Sequence, residues 1–300
     1  MAVTYAVSSE LSQSESLDPS KQKTLRESVT ISGTGLFTAA RAMLTIRPAK
    51  ANTGIIFQRT DLPGKPQLIA DLDHVVSTPR CTILGNQKFT IHTVEHVLAA
   101  LSAMRIDNAL LEISGPEVPI MDGSSEVFVE AILKGGITDL EEERQIYTID
   151  QPVSWSKGDV HLVAIPAPEF RISYTLHYPE SAVIKSQYYS VVVTPQNFVE
   201  EIASCRTFCL YEEIAPFIES GLIKGGGLDN AVIIKNDVVI NPDGVRFPDE
   251  MVRHKALDLI GDLSLVARHF NAHIIAIRSG HASNVAFAQE LNNHLMLEKP

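Results

Sequence analysis

The sequence predicts an α+β fold built from two similar halves, each with a sheet covered by helices. Strand hairpin patterns open each half, and a buried-looking helix with a short apolar strand follows them. The acidic run LEEER, from Leu140 to Arg144, separates the two halves. We therefore expect a two-domain α/β sandwich, with residues 23–143 and 144–300 as its duplicated sheet-and-helix halves and a functional cleft between them.

The first half is predicted to contain a hairpin, a helix, a strand and a second helix, in that order. Alternating apolar residues from Thr24 to Ala49 predict a hairpin with a glycine-rich turn. The segment TVEHVLAALSAM predicts a buried helix with Thr93 as its N-cap. The strand NALLEISG follows, and then a helix, SSEVFVEAILKGG, that begins at a serine and stops at Gly135.

The second half repeats this order. Hairpin patterns with a turn at Lys157-Gly158-Asp159 come first, and a helix is predicted after Thr194-Pro195. A second helix at RHKALDLIGDLSLVAR, the strand NAHIIAIRSG and a closing helix over residues 283–295 complete it. The letters also recur, since Asn-Ala leads to Ser-Gly at residues 108–115 and again at residues 271–280. This recurrence indicates related halves.

Composition limits the functional classes. A chain of 300 residues with 45% hydrophobic content buries a large core, and three cysteines without a CxxC pair favour a reducing compartment. Residues 1–22 are serine-rich and lack the features of a signal peptide, so we expect a disordered tail and a cytoplasmic monomer. No apolar run is long enough for a membrane span. The net charge of −11 argues against nucleic acid as a partner.

Two predicted helices carry a pattern typical of a metal site. His254 and Asp258 are four residues apart and so share one helix face. A catalytic zinc ion needs three protein ligands, and His96 on the other helix is the candidate for the third. Glu95 directly precedes His96, where a base for water activation is expected. The alternative is an ordinary helical charge pair, but Asp258 and Asp262 lie among apolar residues, and buried carboxylates need partners.

Three further patterns bear on a substrate. His281 follows the last strand, at a loop position where catalytic side chains are common. Thr207 of the segment CRTF is either a donor to an oxyanion or a capping residue. The glycines of KGGGLDNAVI predict either a close approach of two backbones or a simple turn into a strand.

Six motifs occur together in one order: TVEH, PIMDGSS, CRTF, GGGLDNAVI, RFPDEMVRHKALDLIGDL and SGHASN. From about Lys23 to its end, the chain thereby resembles the UDP-3-O-acyl-N-acetylglucosamine deacetylases, the zinc enzymes of lipid A synthesis. The resemblance implies removal of acetate from an acylated UDP-N-acetylglucosamine. It also implies an insert in each half, the second over about residues 208–233, where apolar side chains line a passage for the acyl chain.

The resemblance implies a role for each site residue. His96, His254 and Asp258 would bind Zn²⁺, Glu95 would be the general base, and His281 would be the general acid, kept protonated by Asp262. Lys255 would lie near the metal and substrate, and Thr207 at the oxyanion. One position departs from the family pattern, because GTGLF has Phe37 where a histidine is usual.

The sequence alone leaves two other functions open. A different zinc hydrolase would use similar ligands, although no HExxH motif is present. A non-catalytic protein that binds lipids or sugar nucleotides is the second alternative. Retention of the base, the acid and all three ligands argues against it.

Overall fold

The computed structural model describes residues 17–296. Residues 1–16 of the predicted tail lie outside this range, whereas Lys21 and Gln22 already belong to the first strand. The predicted boundary at residue 143 coincides with the end of a strand. Within residues 17–296, no helix is long and apolar enough to cross a membrane.

The α-helices in this range are, in chain order, α1 (Glu95–Ala103), α2 (Glu126–Gly135), α3 (Pro195–Glu201), α4 (Tyr211–Glu219), α5 (Glu250–Ser264) and α6 (His281–Leu295). The strands of the first half are β1 (Lys21–Leu25), β2 (Val29–Thr34), β3 (Arg41–Pro48), β4 (Ile55–Arg59), β5 (Gln67–Ile69), β6 (Val75–Ser77), β7 (Ile83–Gly85), β8 (Thr90–Ile91), β9 (Ala109–Ile113) and β10 (Ile137–Glu143). Those of the second half are β11 (Ile146–Thr148), β12 (Val153–Lys157), β13 (Val160–Ile165), β14 (Arg171–Tyr178), β15 (Lys185–Val192), β16 (Phe208–Leu210), β17 (Val232–Lys235), β18 (Val238–Val239), β19 (His269–Asn271) and β20 (His273–Ile277).

Each half is built on a five-stranded sheet, and the two sheets have the same topology. The strand orders are β2-β3-β9-β4-β5 and β12-β13-β20-β14-β15. In both, one neighbour of the central strand is antiparallel and the other is parallel. The Asn-Ala pair that recurs in the sequence directly precedes or opens the central strand of each sheet. The predicted duplication is therefore confirmed.

Four helices pack against these sheets or against one another. Helix α2 packs on β2 and on α1, whereas α5 packs on β14 and β15, and α6 on β12 and β13. Helices α1 and α5 contact each other at the centre of the molecule. Nearly every residue of α1 is buried, which is typical of a helix that is apolar all round and lies inside a core.

Each half also carries a small three-stranded sheet. The first consists of β6, β7 and β8, and the second of β16, β17 and β18 with α4 beside it. The strands of the second small sheet span Phe208 to Val239, a range that includes residues 208–233, for which the resemblance implies an insert.

Two local predictions differ from the structure. Thr93 is not the N-cap of α1, because its backbone is left-handed (φ 58°) and its hydroxyl donates to Glu117 Oε1 at 3.0 Å; Val94 takes the cap position. Helix α6 begins at His281, two residues earlier than predicted. His281 is therefore the first residue of a helix and not a residue of a loop.

Helices α1 and α5 approach each other closely at Gly261. A β-carbon at this position would collide with the backbone carbonyl of Glu95. Backbone atoms of a buried helix cannot shift as a flexible side chain can, so only glycine fits without displacing one helix.

We expect Gly261→Ala to lower the free energy of unfolding by about 1 to 3 kcal/mol, as overpacking of a core usually does. Urea unfolding followed by circular dichroism measures this loss. Gly115→Ala is the matched control, since its new methyl group would come no closer than 3.2 Å to a neighbouring atom, the Cβ of Ala42. Equal stability of Gly261→Ala and the wild type would show that the two helices leave room for a methyl group at position 261.

Candidate metal centre and catalytic residues

The contact between α1 and α5 brings the three predicted metal ligands together. His96, His254 and Asp258 each offer one ligand atom, and these atoms lie within 4.8 Å of one another. All three side chains are buried. The distance from Asp258 Oδ1 is 3.2 Å to His254 Nε2 and 3.7 Å to His96 Nε2. The ligand atoms are thus close enough for a single ion to contact all of them after small adjustments.

Neighbouring groups affect the orientation and the protonation of these three residues. His254 Nδ1 donates to the carbonyl of Cys205 at 3.0 Å, so Nε2 is the ring nitrogen that faces Asp258. Burial and the adjacent His254 lower the pKa of His96 to about 3, which keeps its imidazole neutral. Burial opposes ionisation of Asp258, but His254, Lys255 and His281 lower its pKa well below the usual range. Neutral imidazoles and an ionised carboxylate are the forms that bind a divalent metal.

Glu95 lies beside this cluster and is buried. The Thr82 backbone N–H donates to its Oε2 at 3.0 Å, and its Oε1 is 3.8 Å from His281 Nε2. Burial raises the pKa of Glu95 to about 7 although the nearby His281 lowers it. A carboxylate with this pKa exchanges protons readily near neutral pH.

His281 is held by a buried acid. Its Nδ1 donates to Asp262 Oδ2 at 2.9 Å, and its Nε2 faces Glu95 and Asp258. Burial lowers the pKa of His281, but Asp262, Asp258 and Glu95 together raise it to about 9. The ring is therefore an imidazolium at neutral pH, with one N–H directed at the space in front of Glu95.

Lys255 and Thr207 occupy different surroundings. Lys255 Nζ donates to Asp258 Oδ2 at 2.6 Å, and Asp258 raises the pKa of Lys255 against the effect of burial. Thr207 lies two residues after Cys205, and its backbone N–H donates to the carbonyl of Gly123 at 2.8 Å. The buried ion pair of Arg206 with Glu250, at 2.8 Å, anchors the CRTF segment to the start of α5.

The loop that contains Phe37 is fixed by a carboxylate of the same half. Glu117, which is buried, accepts hydrogen bonds from the backbone N–H groups of Phe37 and Thr38, at 2.9 and 2.8 Å. A close backbone approach explains the first glycine of KGGGLDNAVI, because a β-carbon at Gly225 would collide with the carbonyl of Gly35. The two inserts also meet, since the Arg80 guanidinium lies 4.7 Å from the centre of the Phe217 ring.

Two contacts of Asp262 are not predicted from the sequence. Asn284 Nδ2 donates to Asp262 Oδ2 at 2.8 Å, and the hydroxyl of Thr82 donates to Asp262 Oδ1 at 2.6 Å. The spacing of His281 and Asn284 is that of one helix face, and an earlier predicted start of α6 would have revealed it. Thr82 gives no such signal, since it precedes a short strand far from Asp262 in the sequence.

A separate cavity in the described part of the chain does not include this cluster. It has a volume of about 460 Å³ and lies between the halves, at the far ends of α1 and α5, where Leu98, Ser102, Ile260 and Leu263 line it. This cavity lies between the halves, but it does not contain the predicted site residues, so it is not the functional cleft expected from the sequence.

Comparison with known proteins identifies the family. The model of the family UDP-3-O-acyl N-acetylglycosamine deacetylase (LpxC) matches residues 22–293. The protein named UDP-3-O-acyl-N-acetylglucosamine deacetylase from Chlamydia pneumoniae is 48% identical over 277 residues, which cover 92% of this chain and 98% of the relative. Its namesakes from Chlamydia abortus and Chlamydia caviae are each 49% identical over 270 residues, 90% of this chain and 96% of theirs. The resemblance inferred from the motifs is confirmed, and the chain belongs to the UDP-3-O-acyl N-acetylglycosamine deacetylase family.

Proposed function

We propose that this hydrolase removes acetate from UDP-3-O-acyl-N-acetylglucosamine, the reaction for which its relatives are named, as a step of lipid A synthesis. The observation that carries the proposal is the meeting of Glu95 Oε1 and His281 Nε2, 3.8 Å apart, beside a buried His96–His254–Asp258 cluster. A base and an acid that face the same space beside a metal site are what amide hydrolysis requires.

The donor set fits zinc. Two imidazoles and one carboxylate from the protein form a three-ligand set that leaves a position open, as in catalytic zinc sites. A bound zinc ion would supply a Lewis acid that polarises the amide carbonyl and acidifies water.

The protein groups then divide the proton transfers. Glu95 Oε1 takes a proton from the attacking water, while its Oε2 stays bonded to the Thr82 N–H. His281 Nε2 gives its proton to the departing amine, which is a poor leaving group until protonated. Asp262 orients the His281 ring through Nδ1. Lys255 offsets the charge of Asp258, and Thr207 donates to the oxyanion.

The second insert is the part of this chain that would receive the acyl group. Ile218, Leu222 and Leu228 are large apolar side chains that it leaves exposed, by 45%, 57% and 42%. Exposed apolar side chains grouped in one insert are typical of a surface that binds an apolar ligand.

The reaction is tested by acetate release from UDP-3-O-acyl-N-acetylglucosamine, with UDP-N-acetylglucosamine as the control without an acyl group. We expect the wild type to hydrolyse the acylated substrate preferentially. Glu95→Gln should lower its turnover by roughly 10²- to 10⁴-fold, as removal of a general base does. Unchanged turnover in Glu95→Gln, at equal metal content, would assign the base to another residue.

The ligand assignment is tested by metal analysis. The purified wild type should hold about one zinc ion per chain, and His96→Ala, His254→Ala or Asp258→Ala should each weaken its retention, because a three-ligand site has no spare ligand. Elemental analysis after dialysis measures retention. The control His161→Ala alters an exposed histidine of β13 and should retain zinc as the wild type does. Full retention in all three ligand variants contradicts the assignment.

The pH profile tests the pair of Asp262 and His281. Activity should follow a bell, with an acidic limb that reports Glu95 and an alkaline limb that reports loss of the His281 proton. Asp262 raises the pKa of His281, so Asp262→Asn lowers it and should move the alkaline limb to lower pH. His281→Gln is the reference, and an alkaline limb that persists in it belongs to a different acid.

A further inference from the structure

Thr82 lies close to both proton-transfer groups of the proposed site, Glu95 and His281. It immediately precedes β7 in the insert of the first half, and its side chain is fully buried. Its backbone N–H donates to Glu95 Oε2 at 3.0 Å, and its carbonyl accepts from the Val94 N–H at 3.4 Å. Thr82 is thereby bound to the first residues of α1 through its backbone.

The side chain of Thr82 lies beside Asp262 and His281. Its hydroxyl donates to Asp262 Oδ1 at 2.6 Å, and its Oγ1 is 3.4 Å from His281 Nδ1. Asp262 Oδ2 accepts from His281 and Asn284, so the Thr82 hydroxyl provides the contact on the other carboxylate oxygen. Asp262 is 0% exposed, and this oxygen would have no other donor among the described residues if the hydroxyl were removed.

These contacts span three helices. Glu95 belongs to α1, Asp262 to α5 and His281 to α6, whereas Thr82 belongs to none of them. One residue therefore contacts side chains from all three helices through its hydroxyl and its backbone N–H. A carboxylate that loses one of its buried donors rotates or shifts to find another, and the imidazole bonded to its second oxygen moves with it.

We propose that Thr82 is a positioning residue that holds Glu95 and the Asp262–His281 pair in the geometry for proton transfer, a role that rests on the catalytic assignments proposed above. Threonine suits it because its hydroxyl is a donor on a short, β-branched side chain with few rotamers. Serine keeps the donor but has more rotational freedom. Valine keeps the shape and the backbone N–H but has no donor.

The test compares Thr82→Val with Thr82→Ser in the zinc-loaded enzyme. Thr82→Val should lower kcat by roughly 10- to 100-fold, the effect of a lost hydrogen bond to a charged group, with little change in KM. Thr82→Ser should restore kcat to within about threefold of the wild type. Thr24→Val is the matched control, since it removes another buried threonine hydroxyl, which donates to the Asn108 carbonyl at 2.7 Å, outside the site. It should lower stability but not kcat.

Two readouts separate positioning from general destabilisation. In the Asp262→Asn background, Thr82→Val should cost much less than in the wild type, because the two residues act through one contact. The downfield N–H proton of the His281 ring, assigned by its loss in His281→Gln, should shift in Thr82→Val and not in Thr24→Val. An active wild type with kcat unchanged in Thr82→Val overturns the role of Thr82 alone, whereas a wild type that releases no acetate overturns the proposed function. Additive effects in the double variant, or a kcat loss in Thr24→Val equal to that in Thr82→Val, also overturn the positioning role.

Discussion

The close approach of α1 and α5 is the contact on which the site depends. Gly261 and Asp262 follow Asp258 by three and four residues, so all three lie on the face of α5 that is turned to α1. Because position 261 has no side chain, this face comes directly against the backbone at Glu95. Asp258 and Asp262, on either side of Gly261, are thereby brought next to Glu95 and His96, which belong to the first half.

Two buried carboxylates at this contact, Glu95 and Asp258, have pKa values that are shifted in opposite directions. Glu95 has few cationic partners and its pKa rises, whereas Asp258 is surrounded by His254, Lys255 and His281 and its pKa falls. Two carboxylates in one site thus differ in their affinity for protons because of their neighbours. Such separation lets one acid exchange protons while the other stays an anion.

Much of this arrangement could be predicted from the sequence. The spacing of His254 and Asp258 and the Glu95-His96 pair indicated a shared site, since helix periodicity fixes which residues lie on one face. The duplicated order of elements predicted the two equivalent sheets. Periodicity alone could not place Thr82, whose contacts depend on how a short insert folds across three helices. Nor could it show that Glu117, by binding the Thr93 hydroxyl, would move the start of α1 by one residue.

Glu117 has a consequence for the unusual residue at position 37. The carboxylate accepts from the backbone N–H of Phe37, and the Phe37 carbonyl accepts from the Lys224 N–H of the second insert. Every amino acid except proline offers these same backbone groups, so the course of the loop is independent of which side chain it carries there. Exchange of histidine for phenylalanine alters the chemistry that the loop presents while its path stays the same. The side chain at position 37 is therefore uncoupled from the backbone hydrogen bonds that tie this loop to Glu117 and to the second insert.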